Sequence, residues 1–369
     1  MSLNTIIKEP EVRAQLKKMI RRPDFGSGRK LLAPPLTKHY SLTGTAFDYI
    51  FRFYLKRVNP LAVERSHWVS ETAALYTDAL VLNAASGRIE IMPELATNPD
   101  KHELAVKMQS IINEAKENYQ LCLKSGRVTD RLLSSAIGLA KLDVIYRTGR
   151  PDLVDLADVD KSDKDDLRQL VRVIPAGDFK ARAVCVLNPT FGEASQLVGG
   201  ADADVIIDDT LIEIKTVMKC QLQSKYLHEL VGYYCLYRIG GVNGVPTDKP
   251  LRKLGIYFSR HGYLYTVPMT ECWRARDFKA FLKWFEDLIR ARHRSAISWV
   301  LSERHIGMKG KPMDPKTKLR IYKAVSEFLT AIATIAGREG RKIIESAIEA
   351  WLKSRTPKTK TTLPLRVSV

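Results

Sequence analysis

The sequence lacks long apolar runs and has few cysteines. No stretch approaches the ~20 consecutive apolar residues of a transmembrane helix, which excludes a protein with helical membrane spans. Its 5 cysteines are scattered without a CxxC or CxxH pair, so a disulfide framework, a zinc ribbon and an iron–sulfur cluster are not expected. The opening Met1-Ser2-Leu3-Asn4 leads into charged residues rather than an apolar signal region. We therefore expect a cytoplasmic location and no membrane partner.

Positive charge is abundant and unevenly distributed. The 369 residues contain 59 Lys and Arg against 41 Asp and Glu, a formal net charge of +18. Residues 271–369 hold 22 basic and 10 acidic side chains, and the first 270 residues hold 37 and 31. Lys and Arg contacts to phosphate dominate nucleic-acid affinity, so the balance favours a polyanionic partner.

Composition and periodicity divide the chain into five segments. We predict an N-terminal arm over 1–37, a first helix within 38–60, a mainly helical block over 61–178, a strand-containing region over 179–270 and a basic helical domain with a disordered tail over 271–369. No phosphate loop of the form GxxxxGK[ST] occurs, so any ATP-driven partner would be a separate chain.

Two apolar strands carry the most informative polar residues. A two-residue hairpin loop at Asp209-Thr210 would pair Asp204 with Lys215. Because side chains alternate along a strand, Asp204, Glu213 and Lys215 then share one face. The opposite face is apolar and carries Val205, Ile207, Ile212 and Ile214.

Two carboxylates and a lysine on one sheet face suit phosphodiester hydrolysis. Carboxylates are hard oxygen ligands for Mg²⁺, and the metal polarises a phosphoryl oxygen and activates water. A nearby lysine orients that water or offsets charge on the phosphate. The alternative interpretation is a plain ion pair, Glu213 with Lys215, on a solvated face.

Asp204, eight residues and then Glu213-Ile214-Lys215 resemble the PD-(D/E)xK nuclease superfamily. The predicted elements are similar in order to that family's αβββαβ core: helix 43–56, strand 183–187, strands 203–207 and 211–216, helix 223–238 and strand 254–259. The resemblance implies an α/β, restriction-endonuclease-like fold with a mixed sheet. It also implies a large helical insertion after the first helix and a helical C-terminal domain.

The resemblance implies roles for particular residues. Asp204 and Glu213 would be ligands of Mg²⁺ or Mn²⁺ together with the backbone carbonyl of Ile214, and Lys215 would be the catalytic lysine. A further acidic ligand would be Asp48, which follows a glycine-led helix start similar to that of RecB-like members, or Glu193. In the RecB-like branch the following helix carries a Gln and a Tyr that touch the substrate strand; here Glu229 stands at the Gln position and Tyr233 at the Tyr position.

The expected activity is a Mg²⁺- or Mn²⁺-dependent deoxyribonuclease, in host defence, mobile-element or repair processes. DNA is the expected substrate, RNA is the alternative, and a homodimer or a separate helicase or ATPase partner stays open. The rival interpretation is a non-catalytic nucleic-acid-binding protein that retains the nuclease fold. The best local patch for phosphate contacts is Lys309, Lys311, Lys316, Lys318 and Arg320.

Overall fold

The computed structural model describes residues 2–26, 28–83, 88–243 and 250–301. Its helices are α1 (Leu3–Ile6), α2 (Pro10–Met19), α3 (Tyr40–Val58), α4 (Pro99–Ser125), α5 (Asp130–Thr148), α6 (Lys161–Arg172), α7 (Gly192–Leu197), α8 (Ser224–Gly240), α9 (Met269–Cys272) and α10 (Ala275–Leu301). Its strands are β1 (Leu80–Asn83), β2 (Arg88–Ile91), β3 (Cys185–Leu187), β4 (Val205–Ile207), β5 (Thr210–Lys215), β6 (Lys253–Phe258) and β7 (Tyr263–Pro268). The protein is therefore mixed α/β, as predicted. None of the helices in these ranges could cross a membrane.

A mixed sheet of five strands, in the order β3-β4-β5-β6-β7, forms the centre of the fold. β3, β4 and β5 are antiparallel neighbours, and β6 and β7 form an antiparallel hairpin. β5 and β6 are parallel. Parallel neighbours require a crossover connection, and α8 is the helix of that connection. A separate two-stranded hairpin, β1-β2, lies within the segment predicted to be mainly helical.

The predicted register of the β4–β5 hairpin is wrong by two residues. The structure pairs Ile206 with Leu211 and Ile207 with Thr210, so the loop is Asp208-Asp209 rather than Asp209-Thr210. Asp208 has a φ of 51°, and its carboxylate accepts hydrogen bonds from the backbone N–H groups of Arg182, Ala183 and Val184, the shortest being 2.8 Å. These contacts fix the loop one residue earlier. A shift of two residues leaves every side chain on the same face of the sheet. Asp204, Glu213 and Lys215 therefore still share one face in the observed register.

Each face of the sheet is covered by its own apolar cluster. Val205, Ile207, Ile212 and Tyr257 pack against α3, α5 and α6 on one face. Ile206, Leu211, Leu254, Ile256 and Phe258 pack against α8 on the other. Burial of each large aliphatic or aromatic side chain contributes about 1.5–3 kcal/mol, so the sheet is held firmly from both sides.

The N-terminal segment contributes to the α8 face. Leu3, Ile6, Val12 and Leu16 are buried in the same cluster as α8. A β-carbon added to Gly232 of α8 would lie 3.2 Å from Leu3, so the absence of a side chain there lets α1 approach closely. Residues predicted to be an arm thus include two helices that pack on the sheet layer.

A buried ion pair joins three distant segments. Arg260 lies in a 3₁₀ turn between β6 and β7, and its guanidinium donates two hydrogen bonds of 2.8 Å to the Asp166 carboxylate of α6. It also donates to the backbone carbonyl of Ala33 at 3.0 Å. The side chains of Arg260 and Asp166 are 1% and 0% exposed. The two parallel hydrogen bonds between guanidinium and carboxylate help to offset the cost of removing both charges from water.

Candidate active site

The structure brings Asp204, Glu213 and Lys215 together where β4 begins and β5 ends. Asp204 immediately precedes β4, and Glu213 and Lys215 are on β5. The Oδ2 atom of Asp204 accepts a hydrogen bond of 2.6 Å from the backbone N–H of Ile214. This bond holds the Asp204 side chain against β5, beside Glu213. The three residues predicted as the catalytic set therefore occupy one small region of the sheet.

Lys215 lies between two glutamates. Its Nζ donates to Glu213 Oε1 at 2.9 Å and to Glu229 Oε2 of α8 at 2.6 Å. The ammonium also lies 5.3 Å from the ring centroid of Tyr226, which is on α8 like Glu229. The side chains of Lys215 and Glu229 are 16% and 14% exposed. These ionic contacts are therefore shielded from bulk water and stronger than those of a surface pair.

The site would carry an excess of negative charge if all of its carboxyl groups were ionised. Burial raises the pKa of Asp204 to about 7, and the negative charge of Asp48 adds to the rise. Burial also raises the pKa of Glu213 well above its ordinary value, with Asp204 adding to the effect and Lys215 opposing it. Burial alone would lower the pKa of Lys215, but the Glu213 and Glu229 carboxylates outweigh it and raise that pKa. One ammonium therefore faces more carboxylates than it can neutralise.

Two carboxylate oxygens near this region are buried without a partner. Glu213 is 6% exposed, and its Oε2 has no hydrogen-bond partner; neither has Oδ1 of Asp48. A buried polar atom left unsatisfied costs about 1–3 kcal/mol, and more for a charged group. A cation would satisfy the Glu213 oxygen and the excess negative charge together.

The donor set fits a hard divalent cation with few protein ligands. Among the described residues no three His, Cys, Asp or Glu side chains are grouped to hold a metal ion. The side-chain donors available are two carboxylates, those of Asp204 and Glu213. Mg²⁺ dehydrates reluctantly and is commonly held by one or two carboxylates, with water and substrate oxygens completing its shell.

The two candidates for an extra acidic ligand occupy different places. Asp48 is on α3, its Oδ2 accepts from Arg52 Nη2 at 2.6 Å, and its charge raises the pKa of Asp204. Burial in turn raises the pKa of Asp48 itself. Glu193 on α7 is 52% exposed and pairs with Arg290 of α10 at 2.8 Å. Asp48 therefore acts electrostatically on Asp204, whereas Glu193 lies on the surface beside Arg290.

Sequence reasoning missed a polar network behind Asp48. The Nη1 of Arg52 donates to the side-chain oxygen of Asn188 at 3.0 Å, and Asn188 in turn donates to Asp202. Asp202 also lies 3.8 Å from Arg65. The available signal was the Asp48–Arg52 spacing, because residues four apart share a helix face. The contacts to Asn188 and Asp202 join distant parts of the chain and had no local signal.

Tyr233, predicted to contact nucleic acid, is placed in the core. It is 6% exposed, and its ring stacks on Phe191 with centroids 5.9 Å apart. A ring covered in this way has no free face for a base. The other predicted nucleic-acid contacts, Lys309, Lys311, Lys316, Lys318 and Arg320, lie outside the described residues.

The chain was compared with protein-family models, with curated proteins and with solved structures, and no match was found in any of the three.

Proposed function

We propose that the chain is a Mg²⁺- or Mn²⁺-dependent nuclease of the PD-(D/E)xK type that hydrolyses phosphodiester bonds in DNA. The observation that carries the proposal is that Asp204, Glu213 and Lys215 lie together where β4 begins and β5 ends. Asp204 and Glu213 are held side by side, and Glu213 keeps one buried oxygen without a partner.

The order of the elements supports the same proposal. The αβββαβ order is given by α3, β3, β4, β5, α8 and β6, with the short helix α7 between β3 and β4. Three of the strands are antiparallel, and the parallel fourth is added through a helix. Restriction-endonuclease-like proteins have this order, and their acidic ligands lie on the second and third strands. The long segment between α3 and β3 would then be an insertion in that core.

Asp204, Glu213 and the backbone carbonyl of Ile214 would hold the metal ion. When bound, such an ion polarises the phosphoryl oxygen and lowers the pKa of a coordinated water. Asp204 would contribute the carboxylate oxygen not engaged by Ile214 N–H, and Glu213 would contribute its unpartnered Oε2. The same two carboxylates lose their protons more readily beside a cation, because the cation removes the repulsion that raises their pKa values.

Lys215 acts in this scheme as a fixed positive charge. Its raised pKa keeps the side chain an ammonium at neutral pH, so it does not serve as a general base. An ammonium can stabilise the charge that develops on the phosphate oxygens and can orient the attacking water. Glu229 contacts Lys215 and would hold its ammonium in place, so in this scheme it is a positioning residue.

A non-catalytic nucleic-acid-binding protein is the second candidate. The observation in its favour is that Lys215 is already satisfied by two glutamates, an arrangement that a purely structural ion-pair cluster would also show. Under that function the cluster would hold α8 to the sheet, and no metal would be required.

Cleavage assays separate the two candidates. Supercoiled plasmid, linear single-stranded DNA and RNA are incubated with Mg²⁺ or Mn²⁺ and the wild-type chain, Glu213→Gln or Lys215→Ala. Glu103→Gln is the matched control, because it makes the same change at an exposed carboxylate that also pairs with a lysine, Lys107. We expect metal-dependent cleavage of DNA by the wild type and the control and none by the two site variants. Binding without cleavage in all four proteins would favour the non-catalytic candidate.

A further inference from the structure

The N-terminal segment carries an unusual share of the positive charge. Residues 1–38 contain nine Lys and Arg against three Asp and Glu. Residues 39–270 contain 28 basic and 28 acidic side chains, so their formal net charge is zero. The whole excess of positive charge in the first 270 residues is therefore on this segment. The structure describes nearly all of it, and so the position of that charge can be traced.

Helix α2 directs its basic side chains outward. Val12, Leu16 and Met19 are buried in the core, whereas Arg13 and Lys17, one helical turn apart, are exposed. They face α8: His228 has its pKa lowered by burial and further by the charges of these two residues. The apolar side of α2 is therefore buried, and the side left accessible to a partner carries Arg13 and Lys17.

The chain after α2 continues along the same side of the molecule. The backbone N–H of Arg21 donates to the Cys272 carbonyl at 2.8 Å, and the hydroxyl of Tyr265 donates to the Asp24 carbonyl at 2.7 Å. The Arg22 guanidinium donates to the carbonyl of Leu222, just before α8, at 3.0 Å. This segment is thus fixed beside the connection from β5 to α8.

Further cations lead from this segment towards the candidate site. The Arg29 guanidinium lies 4.2 Å from the centroid of the Tyr263 ring. In the β5–α8 connection Lys219 is exposed. Lys225 is also exposed and lies 5.2 Å from the Tyr226 ring, the same ring that lies 5.3 Å from Lys215.

We call this surface the basic ledge, and it comprises Arg13, Lys17, Arg22, Arg29, Lys219 and Lys225. Within the described part of the chain no carboxylate forms an ion pair with any of the six. Exposed cations without a carboxylate partner suit a polyanion whose charges repeat along its length.

We propose that the basic ledge binds the phosphodiester backbone of a nucleic acid and leads it to Lys215. That the bound strand is also cut rests on the proposed function above; binding at the ledge does not. Nucleic acid is favoured over an anionic membrane because membrane-bound amphipathic helices insert a free apolar face, and that of α2 is buried.

Binding is measured by fluorescence polarisation with labelled duplex and single-stranded DNA, in chelator, from 50 to 200 mM salt. The ledge variant changes four cations to Gln: Arg13, Lys17, Arg22 and Arg29. The matched control changes four exposed cations remote from the ledge to Gln: Lys124, Arg127, Arg131 and Lys180. We expect affinity of the ledge variant to fall more than about tenfold and its salt slope on duplex to decrease by about 3 to 4, since each phosphate contact contributes about 0.9. The control should retain most of the wild-type affinity and slope.

Equal affinity and slope for the ledge variant and the wild type would overturn the proposal. Ledge-dependent binding to phosphatidylserine vesicles, with no ledge-dependent binding to DNA, would overturn it in favour of a membrane. Cleavage is scored separately on the same proteins. A wild type that never cleaves but binds DNA through the ledge would refute the nuclease function and leave the ledge proposal standing. A ledge variant that cleaves with an unchanged KM would refute the ledge and leave the nuclease function standing.

Discussion

The charge balance of the candidate site predicts that Asp204→Asn stabilises the metal-free protein, and does so only at higher pH. The Asn side-chain oxygen can still accept the hydrogen bond that Ile214 N–H gives to Asp204 at 2.6 Å, so the main local contact is kept. What is removed is a carboxylate whose pKa is raised from 3.8 to about 7, first by burial and then by the charge of Asp48. The substitution therefore isolates the cost of placing a charge there.

The sign and size of the stability difference between Asp204→Asn and the wild type follow from proton linkage. Between pH 3.8 and about 7 the folded wild type holds a proton on Asp204 that the unfolded chain has released, so wild-type stability falls as pH rises. A rise of about three units corresponds to at most about 4 kcal/mol, fully lost above pH 7. Asp204→Asn has no such loss. At about 2 °C per kcal/mol, its Tm should exceed that of the wild type by at most about 8 °C at pH 8, with a difference near zero at pH 4.

Thermal unfolding in chelator from pH 4 to 8 measures this difference directly. Asp178→Asn is the control, because it makes the same substitution at an exposed carboxylate outside the candidate site. An Asp204→Asn protein that is no more stable than the wild type at pH 8 would refute the reasoning. It would mean that Lys215 neutralises the cluster and that the site has no excess negative charge for a cation to balance.

Three further predictions concern the contact between Glu229 and Lys215, the buried Arg260–Asp166 pair and the close packing at Gly240. Glu229→Gln keeps an acceptor for Lys215 but removes the charge, and we expect kcat of metal-dependent cleavage to fall about tenfold with KM unchanged, together with an altered pH profile of kcat. Asp166→Asn leaves Arg260 buried without a counter-charge, so denaturant unfolding should show a loss of about 3–5 kcal/mol; a loss below about 1 kcal/mol would contradict the assigned pair. Gly240→Ala would place a β-carbon 2.1 Å from a backbone carbonyl, and we expect a lower Tm with little change in the salt dependence of DNA binding.

Most strands and helices could be predicted from local patterns because their apolar residues recur with the right period. Strands predicted at 183–187 and 211–216 correspond to β3 and β5, and the helix predicted at 223–238 corresponds to α8. The β4–β5 register could not be predicted. It depends on the Asp208 carboxylate accepting hydrogen bonds from the segment just before β3, more than twenty residues earlier, and no local pattern encodes that contact.

The strand residues of the candidate site could be predicted, but the contact that α8 makes with them could not. Asp204, Glu213 and Lys215 could be placed on one face because side-chain alternation is insensitive to a shift of two residues. Glu229 could be noted as a departure from a pattern, but its contact with Lys215 depends on how α8 packs over β5. The N-terminal helices were missed because the Gly- and Pro-containing stretch that follows them favoured a flexible arm over packed structure.

The buried Arg260–Asp166 pair also constrains the order in which the chain can assemble during synthesis. Arg260 contacts Ala33 across 227 residues, so this junction cannot form until residue 260 has left the ribosome. β5 has no partner on one edge until β6 (Lys253–Phe258) has also been made. Until then the strand that carries Glu213 and Lys215 is an open edge, able to pair with a neighbouring nascent chain. The helices between α3 and β3 are complete long before that, so the candidate site is among the last parts of the described chain to be assembled.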